Sequence, residues 1–241
     1  MANFKTHITI ATISSALMSE VLLSMAILSP REALLLFGLG VIGGITPDID
    51  SDNSTSAQLL FNIISVSITT LWIFMMAYHY SFVEMILISV FSFVVIRFGF
   101  MSIISFVSVH RGMIHSIPVA VTIGLALTST LHYFFLLNEF FSWLLGVVFA
   151  LNYLIHLLTD ELFSIDIGNR KIKKSFGTAF KLFRFKSLSD KIYTLIIYLI
   201  LSILYYVAPS NELFFDIFSS KETWIELKAN LLPSDDIWFN L

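Results

Sequence analysis

His156 and Asp160 stand four residues apart in the run HLLTD. On a helix that spacing puts an imidazole and a carboxylate on one face, a natural bite for a divalent cation. Three other short runs carry groups of the same kind. Thr6-His7 lies near the start, and Pro47-Asp48-Ile49-Asp50 sets two carboxylates after a helix-breaking proline. His110-Arg111-Gly112-Met113-Ile114-His115-Ser116 holds two histidines five apart. That is a poor spacing for one helix face, but Gly112 permits a turn that aims both inward. Hard carboxylates beside imidazoles suit a divalent metal, Zn²⁺ first, with Mn²⁺ or Fe²⁺ as alternatives. Arg111 and the Ser116 hydroxyl are suited to an anionic oxygen such as that of a phosphate.

Each run alone has an ordinary explanation. An Asp after a helix is commonly a cap or turn residue, a lone His near a membrane surface is commonly hydrogen-bonded, and a His/Asp pair at this spacing is commonly a plain hydrogen bond. Their concurrence in this chain carries the weight, because ionisable groups are scarce in it. Of 241 residues, 57% are hydrophobic and 13% charged, and the mean hydropathy is +0.86. Soluble domains carry about 25% charged residues. The balance excludes disorder and an ordinary water-soluble globule, and it predicts an all-α, polytopic helical membrane protein. With no cysteine, thiolate metal sites, disulfides and thiol catalysis are excluded. A net charge of −3 gives no argument for a nucleic-acid partner.

The elements that must position these residues are membrane spans. Seven apolar stretches qualify, at roughly 8–28, 33–46, 59–78, 83–107, 117–137, 141–158 and 192–208. Six to seven of them are expected to cross. The second is short unless it begins at Pro30, which suits a first helical turn. The first lacks a basic leader and a small-residue cleavage site, so it reads as a retained helix. The segment 161–191 carries eight Lys and Arg against three acidic residues, which places it in the cytoplasm together with the N-terminus. The tail 209–241 has two basic against six acidic residues and is expected outside. The chain thus divides into a helical membrane domain, 1–208, and an extracytoplasmic tail, 209–241. Ser219 and Glu222 in that tail have capping-box spacing for a short helix lying on the membrane surface. The run Phe176 to Phe185, where Phe alternates with Lys and Arg, is suited to lie on the inner surface or to form a solvated basic loop. On this map the four His/Asp runs return to one face of the membrane, the cytoplasmic one, while His79 and His132 fall near the other. Glu20 and Arg97 come to a similar depth and are expected to pair, because an isolated charge there is costly.

Taken together, TH near the start, PDID, HRGMIHS and HLLTD resemble the YdjM-type family of membrane-bound, predicted metal-dependent hydrolases, described as LexA-binding and inner membrane-associated. The likeness covers about 1–185, including Ser175-Phe176-Gly177-Thr178. It implies a multi-pass protein of the inner (plasma) membrane with a His/Asp metal centre. Carried over by motif, the ligands are His7, Asp48, Asp50, His110, His115, His156 and Asp160. Ser51 stands where relatives often have histidine, which would leave this centre one ligand fewer.

These residues suggest hydrolysis of a phosphoester or lipid-derived substrate at the cytoplasmic membrane surface, with membrane lipid as the neighbouring phase. Metal would activate water. Asp50 or His115 would move the proton, and Arg111 would neutralise developing charge. No HExxH, PSGH or GxSxG run is present, so zincin-like proteolysis, histidine-nucleophile phosphatases and serine hydrolases fit less well. Two other classes remain open: a metal-cation or proton transporter, and a membrane regulator whose metal is structural. The sequence identifies no protein partner and no oligomeric state.

Overall fold

Local capping signals set where the helices begin. In the computed structural model, which describes residues 3–50, separate positions between 58 and 73, 80–100, 114–166, 171–172 and 180–230 without Arg184 and Lys186, Asn3 caps the first helix by accepting from Thr6 N at 2.9 Å. Helix α1 runs Phe4–Ser24. Helix α2, Pro30–Ile45, opens on a capping box between Ser29 and Glu32 with proline in its first turn. It therefore begins where Pro30 permits, and its 16 residues reach about 24 Å. Pro47 cannot extend the α-helical ladder, and Thr46–Asp50 tightens into a 3-10 turn. The described positions between 58 and 73 are helical. Helix α3, Phe82–Val94, has a second capping box at Ser81 and Glu84 and continues as a π-helix, Val95–Phe100.

Helix α4, Ile117–Tyr133, again carries proline in its first turn. Helix α5, Glu139–Leu162, is capped by Asn138 and is the centre of the bundle, with α1, α2 and α4 packed around it. Strands β1, Ile165–Asp166, and β2, Lys171–Ile172, form a two-residue antiparallel pair. Helix α6, Leu188–Val207, packs on α4. Helices α7, Glu212–Ser219, and α8, Lys221–Ala229, follow in the tail.

Close approach of α2 to its neighbours depends on glycine. A side chain at Gly43 would stand 2.5 Å from the Phe149 carbonyl of α5, and one at Gly44 would stand 2.4 Å from Ala11 Cβ of α1. Small residues at such crossings let helix backbones touch, which is how helices associate where lipid offers no hydrophobic drive. One apolar core joins Leu22, Leu36, Leu131, Phe141, Leu144 and Leu145, and Phe214, Ile217 and Phe218 of α7 pack against it. A second joins Ala120, Phe149, Tyr153 and Leu157.

Four described helices are long and apolar enough to cross a membrane: Phe4–Ser24, Phe82–Gly99, Glu139–Leu162 and Leu188–Val207. Ile117–Tyr133 is shorter, and most of the expected third span, 59–78, lies outside the described residues. The tail departs from expectation in two ways. Its cap is Ser220, which accepts from Thr223 N at 3.3 Å, one residue later than the spacing suggested. It also contains α7, whose apolar face closes the end of the bundle instead of lying apart from it. The Glu20–Arg97 pair is not among the described contacts. Glu20 is exposed, while Arg97 donates from Nε to Asn62 Oδ1 and sits over the Phe98 ring at 5.4 Å. Asn62 supplies a polar partner on the neighbouring stretch, and the charge is met there.

Candidate metal centre

Helix direction gathers the His/Asp runs at one end of the bundle. His7 closes the first turn of α1, Asp48 lies in the 3-10 turn after α2, His115 stands just before α4, and His156 and Asp160 close α5. The out-and-back arrangement expected from the sequence is what brings them together. His7, His156 and Asp160 are almost fully enclosed, at 2%, 2% and 4% exposure. Asp48 is the most open, its side chain 22% exposed.

The donor atoms face one another. His7 Nε2 lies 3.2 Å from Asp160 Oδ1, and His115 Nε2 lies 3.7 Å from Asp160 Oδ2. His156 Nε2 lies 3.5 Å from Asp48 Oδ1 and 3.8 Å from Asp160 Oδ2. One atom each from His7, His156 and Asp160 fall within 4.8 Å of one another, and so do atoms from Asp48, His115 and His156. Despite this proximity, neither ring nitrogen of His7 nor Nε2 of His156 makes a hydrogen bond among the described residues. Buried polar atoms are ordinarily paired. Here His7 Nε2 and His156 Nε2 lie 3.2–3.8 Å from carboxylate oxygens without closing a hydrogen bond, which is how donors aimed at a common point stand.

The donor set fits a cation. A tetrahedron with metal–nitrogen bonds of about 2.0–2.1 Å has edges of about 3.3–3.4 Å, and the four separations bracket that length. The rings of His7 and His156 stack at 3.6 Å between centroids and 13° between planes. Two imidazolium cations would repel in that arrangement, whereas two neutral rings offer lone pairs. His156 Nδ1 donates to the Gly44 carbonyl at 2.7 Å, because a carbonyl can only accept. That bond fixes the tautomer and leaves Nε2 as the ligating atom, the usual outer contact of a metal-binding histidine. Buried His/Asp groups that could hold a metal ion are therefore present.

Burial alone would raise the Asp48 carboxyl, but contact with His156 and the electrostatic influence of His156, His7 and His115 outweigh it. The group is held below the usual carboxylate range. Burial pushes His115 down to about 4. His156 adds to that shift, Asp160 and Asp48 oppose it, and Lys181 pushes weakly in the same direction as burial. Both shifts favour the form that ligates metal: ionised carboxylate and neutral imidazole.

One turn deeper, Asn152 ties the helices that carry the donors. Its Oδ1 accepts from the hydroxyls of Ser14 and Ser15 on α1, and its Nδ2 donates to the Val148 carbonyl at 3.0 Å. Tyr153 Oη donates to the Ile114 carbonyl at 2.6 Å and holds the residue preceding His115.

Of the residues named from the sequence, His7, Asp48, His115, His156 and Asp160 are brought together. Asp50 shares the 3-10 turn with Asp48, and only its backbone is described. His110 and Arg111, like His79, lie outside the described residues. The Gly44 carbonyl, Asn152, Tyr153 and Lys181 were not found by sequence reasoning. Asn152 carries a usable signal, being a polar residue four before His156 in an otherwise apolar helix. A backbone carbonyl leaves no trace in residue types.

No curated protein and no solved structure matches the chain. A family model does, across residues 1–210, a range that takes in every element bearing the donors. The chain belongs to the YdjM inner membrane protein family.

Proposed function

We propose that this chain is a membrane-embedded, metal-dependent hydrolase of phosphoesters. The carrying observation is the convergence of His7, Asp48, His115, His156 and Asp160 donors at 3.2–3.8 Å, with the His7 nitrogens and His156 Nε2 making no hydrogen bond among the described residues. We assign one ion, with zinc as the metal. His156 offers a single lone pair once Gly44 has engaged Nδ1, so both groups of three that contain it point to the same ion.

A zinc ion held there would supply Lewis acidity and lower the pKa of water in its coordination sphere toward neutrality. The chain's own residues do the rest. Asp160 spans the histidines with its two oxygens, and His156 is oriented by Gly44. The shifts of Asp48 and His115 suit ligands more than a general base, whose pKa belongs near the working pH. On the sequence motifs, we assign proton transfer to Asp50 and neutralisation of phosphate charge to Arg111. Charge bias of the segment 161–191 supports a multi-pass topology with the N-terminus and the metal centre on the cytoplasmic side. The transporter reading rested on a Glu20–Arg97 relay, and that pair is not among the described contacts.

Purified protein assayed for zinc and for hydrolysis of a phosphomonoester and a phosphodiester tests the proposal. Activity lost on chelation, restored by zinc and absent from His156→Ala and Asp160→Ala is the expected result. Metal-free protein with both variants indistinguishable from wild type would refute it. Zinc flux into proteoliposomes without hydrolysis would replace it with transport.

A further inference from the structure

The segment 180–185 is fastened to the metal centre on one side and left apolar on the other. Ile117 N donates to the Lys181 carbonyl at 3.2 Å, and Ser116 and Lys181 form a parallel bridge, so the segment abuts the residue that follows His115. Tyr198 Oη donates to the Leu182 carbonyl at 2.9 Å, so the segment runs back along the side of α6. The backbone is thus fixed at two points.

The described apolar side chains of that segment are uncovered. Leu182, Phe183 and Phe185 are 50%, 58% and 57% exposed, and Phe183 stacks on Phe185 at 5.3 Å. Phe185 also walls a groove of about 600 Å³ with Lys191, Ile192 and Leu195 of α6. Large apolar side chains that the chain itself leaves uncovered would cost about 25 cal/mol per Å² in water. Here they alternate with cations: Lys181, Arg184, Lys186 and Lys191 fall within twelve residues, with Asp190 as the one acidic residue among them. Phenyl rings interleaved with lysine and arginine suit the boundary between acyl chains and anionic headgroups. Lys181, half-buried, is close enough to His115 for its charge to be felt there.

We propose that the strip Phe180–Phe185 and the groove it forms with α6 bind an anionic phospholipid and deliver its phosphate from the membrane plane to the metal centre. Lys181 and Lys191 take the phosphate, and Phe183, Phe185, Ile192 and Leu195 take the upper acyl chains. The inference rests on the hydrolase reading for the fate of the phosphate and names its substrate class as lipid-borne. Binding itself requires no turnover.

Native mass spectrometry of delipidated protein in detergent, titrated with phosphatidylglycerol or phosphatidylcholine, provides the test. Wild type is expected to retain phosphatidylglycerol at least fivefold more than phosphatidylcholine. Lys181→Ala/Lys191→Ala should abolish that preference, and Phe183→Ala/Phe185→Ala should weaken binding of both lipids. Circular dichroism of each variant shows whether the helices are kept, and the milder pair Lys181→Gln/Lys191→Gln replaces any variant that fails to fold. Equal retention of the two lipids, or variants that bind as wild type does, would overturn the inference even in a protein that hydrolyses soluble phosphoesters. Selective lipid binding without hydrolysis would uphold it and remove the hydrolase reading instead. Competition by inorganic phosphate at concentrations that leave phosphatidylcholine binding unchanged would reassign the lysines to a soluble anion, and stoichiometric capture of a protein with the lipid preference absent would reassign the strip to a partner; both results overturn it.

Discussion

The two ends of the helical bundle are built from similar residues to different effect. At the end closed by α7 and α8, the histidine, tryptophan and asparagine side chains find backbone partners, although Ser129 Oγ and Ser142 Oγ make no hydrogen bond among the described residues. His132 Nδ1 donates to the Leu137 carbonyl at 2.9 Å, Trp143 Nε1 donates to the Pro209 carbonyl at 3.0 Å, and Asn230 Nδ2 donates to the Ser24 carbonyl at 2.7 Å. Ala26 and Leu136 accept a left-handed φ of 55° in the connections there, a cost of about 1–3 kcal/mol each that the surrounding bonds sustain. At the other end, imidazoles and carboxylates meet one another, and the His7 nitrogens and His156 Nε2 lack hydrogen bonds among the described residues. Histidine in a membrane helix is thus no sign of a site by itself. A histidine whose second nitrogen is anchored while the first faces other donors is one.

The contrast can be broken most sharply at Gly44. Gly44→Ala forces α1 and α2 apart at Ala11 and displaces the carbonyl that orients His156. Zinc affinity, measured by chelator competition, should fall about 10- to 100-fold, with a stability loss of about 1–3 kcal/mol from overpacking. Ala11→Gly in the same chain removes the colliding methyl group and should recover most of both.

Acid sharpens the contrast next. His115 is neutral in the fold down to about pH 4, whereas in the unfolded chain an ordinary His takes its proton near pH 6.5. Its folded pKa is lowered, so the unfolded state binds more protons in that window. Stability is full above pH 6.5 and falls as pH drops toward 4, by on the order of 3 kcal/mol. Thermal melts of metal-depleted protein should show this decline, and His115→Gln should flatten it.

Smaller effects lie further from the donors. Asn152→Ala removes the clamp between α1 and α5 and should cost about 0.6–1.7 kcal/mol, the range for polar contacts between membrane helices, read by unfolding in mixed micelles. His132→Ala should cost about 0.5–1.5 kcal/mol and leave zinc content unchanged by elemental analysis, because that ring is occupied with its own turn.

The helical class, the starts of α2 and α4 and the gathering of His7, Asp48, His115, His156 and Asp160 were legible from hydropathy, the first-turn proline and the alternation of spans, whereas α6, expected from 192, begins at Leu188 on the Ser187–Asp190 capping box. Spans of similar length that turn back must return every second terminus to one face, so residues far apart in sequence converge. What escaped was decided by tertiary packing. The choice of Ser220 over Ser219 as a cap follows from how α7 seats its phenyl rings, and Arg97 met Asn62 because depth fixes height in a bundle and not azimuth. The Gly44 carbonyl depends on two glycines letting backbones touch, which single-residue chemistry does not announce.

The central claim is that these donors converge on one ion. Inductively coupled plasma mass spectrometry of protein purified without added chelator tests it most directly. About one zinc per chain is expected in wild type, falling below about a tenth in His156→Ala and in Asp160→Ala while circular dichroism keeps the helical signal. Wild-type protein that carries no divalent metal and acquires none on dialysis against zinc would contradict the account.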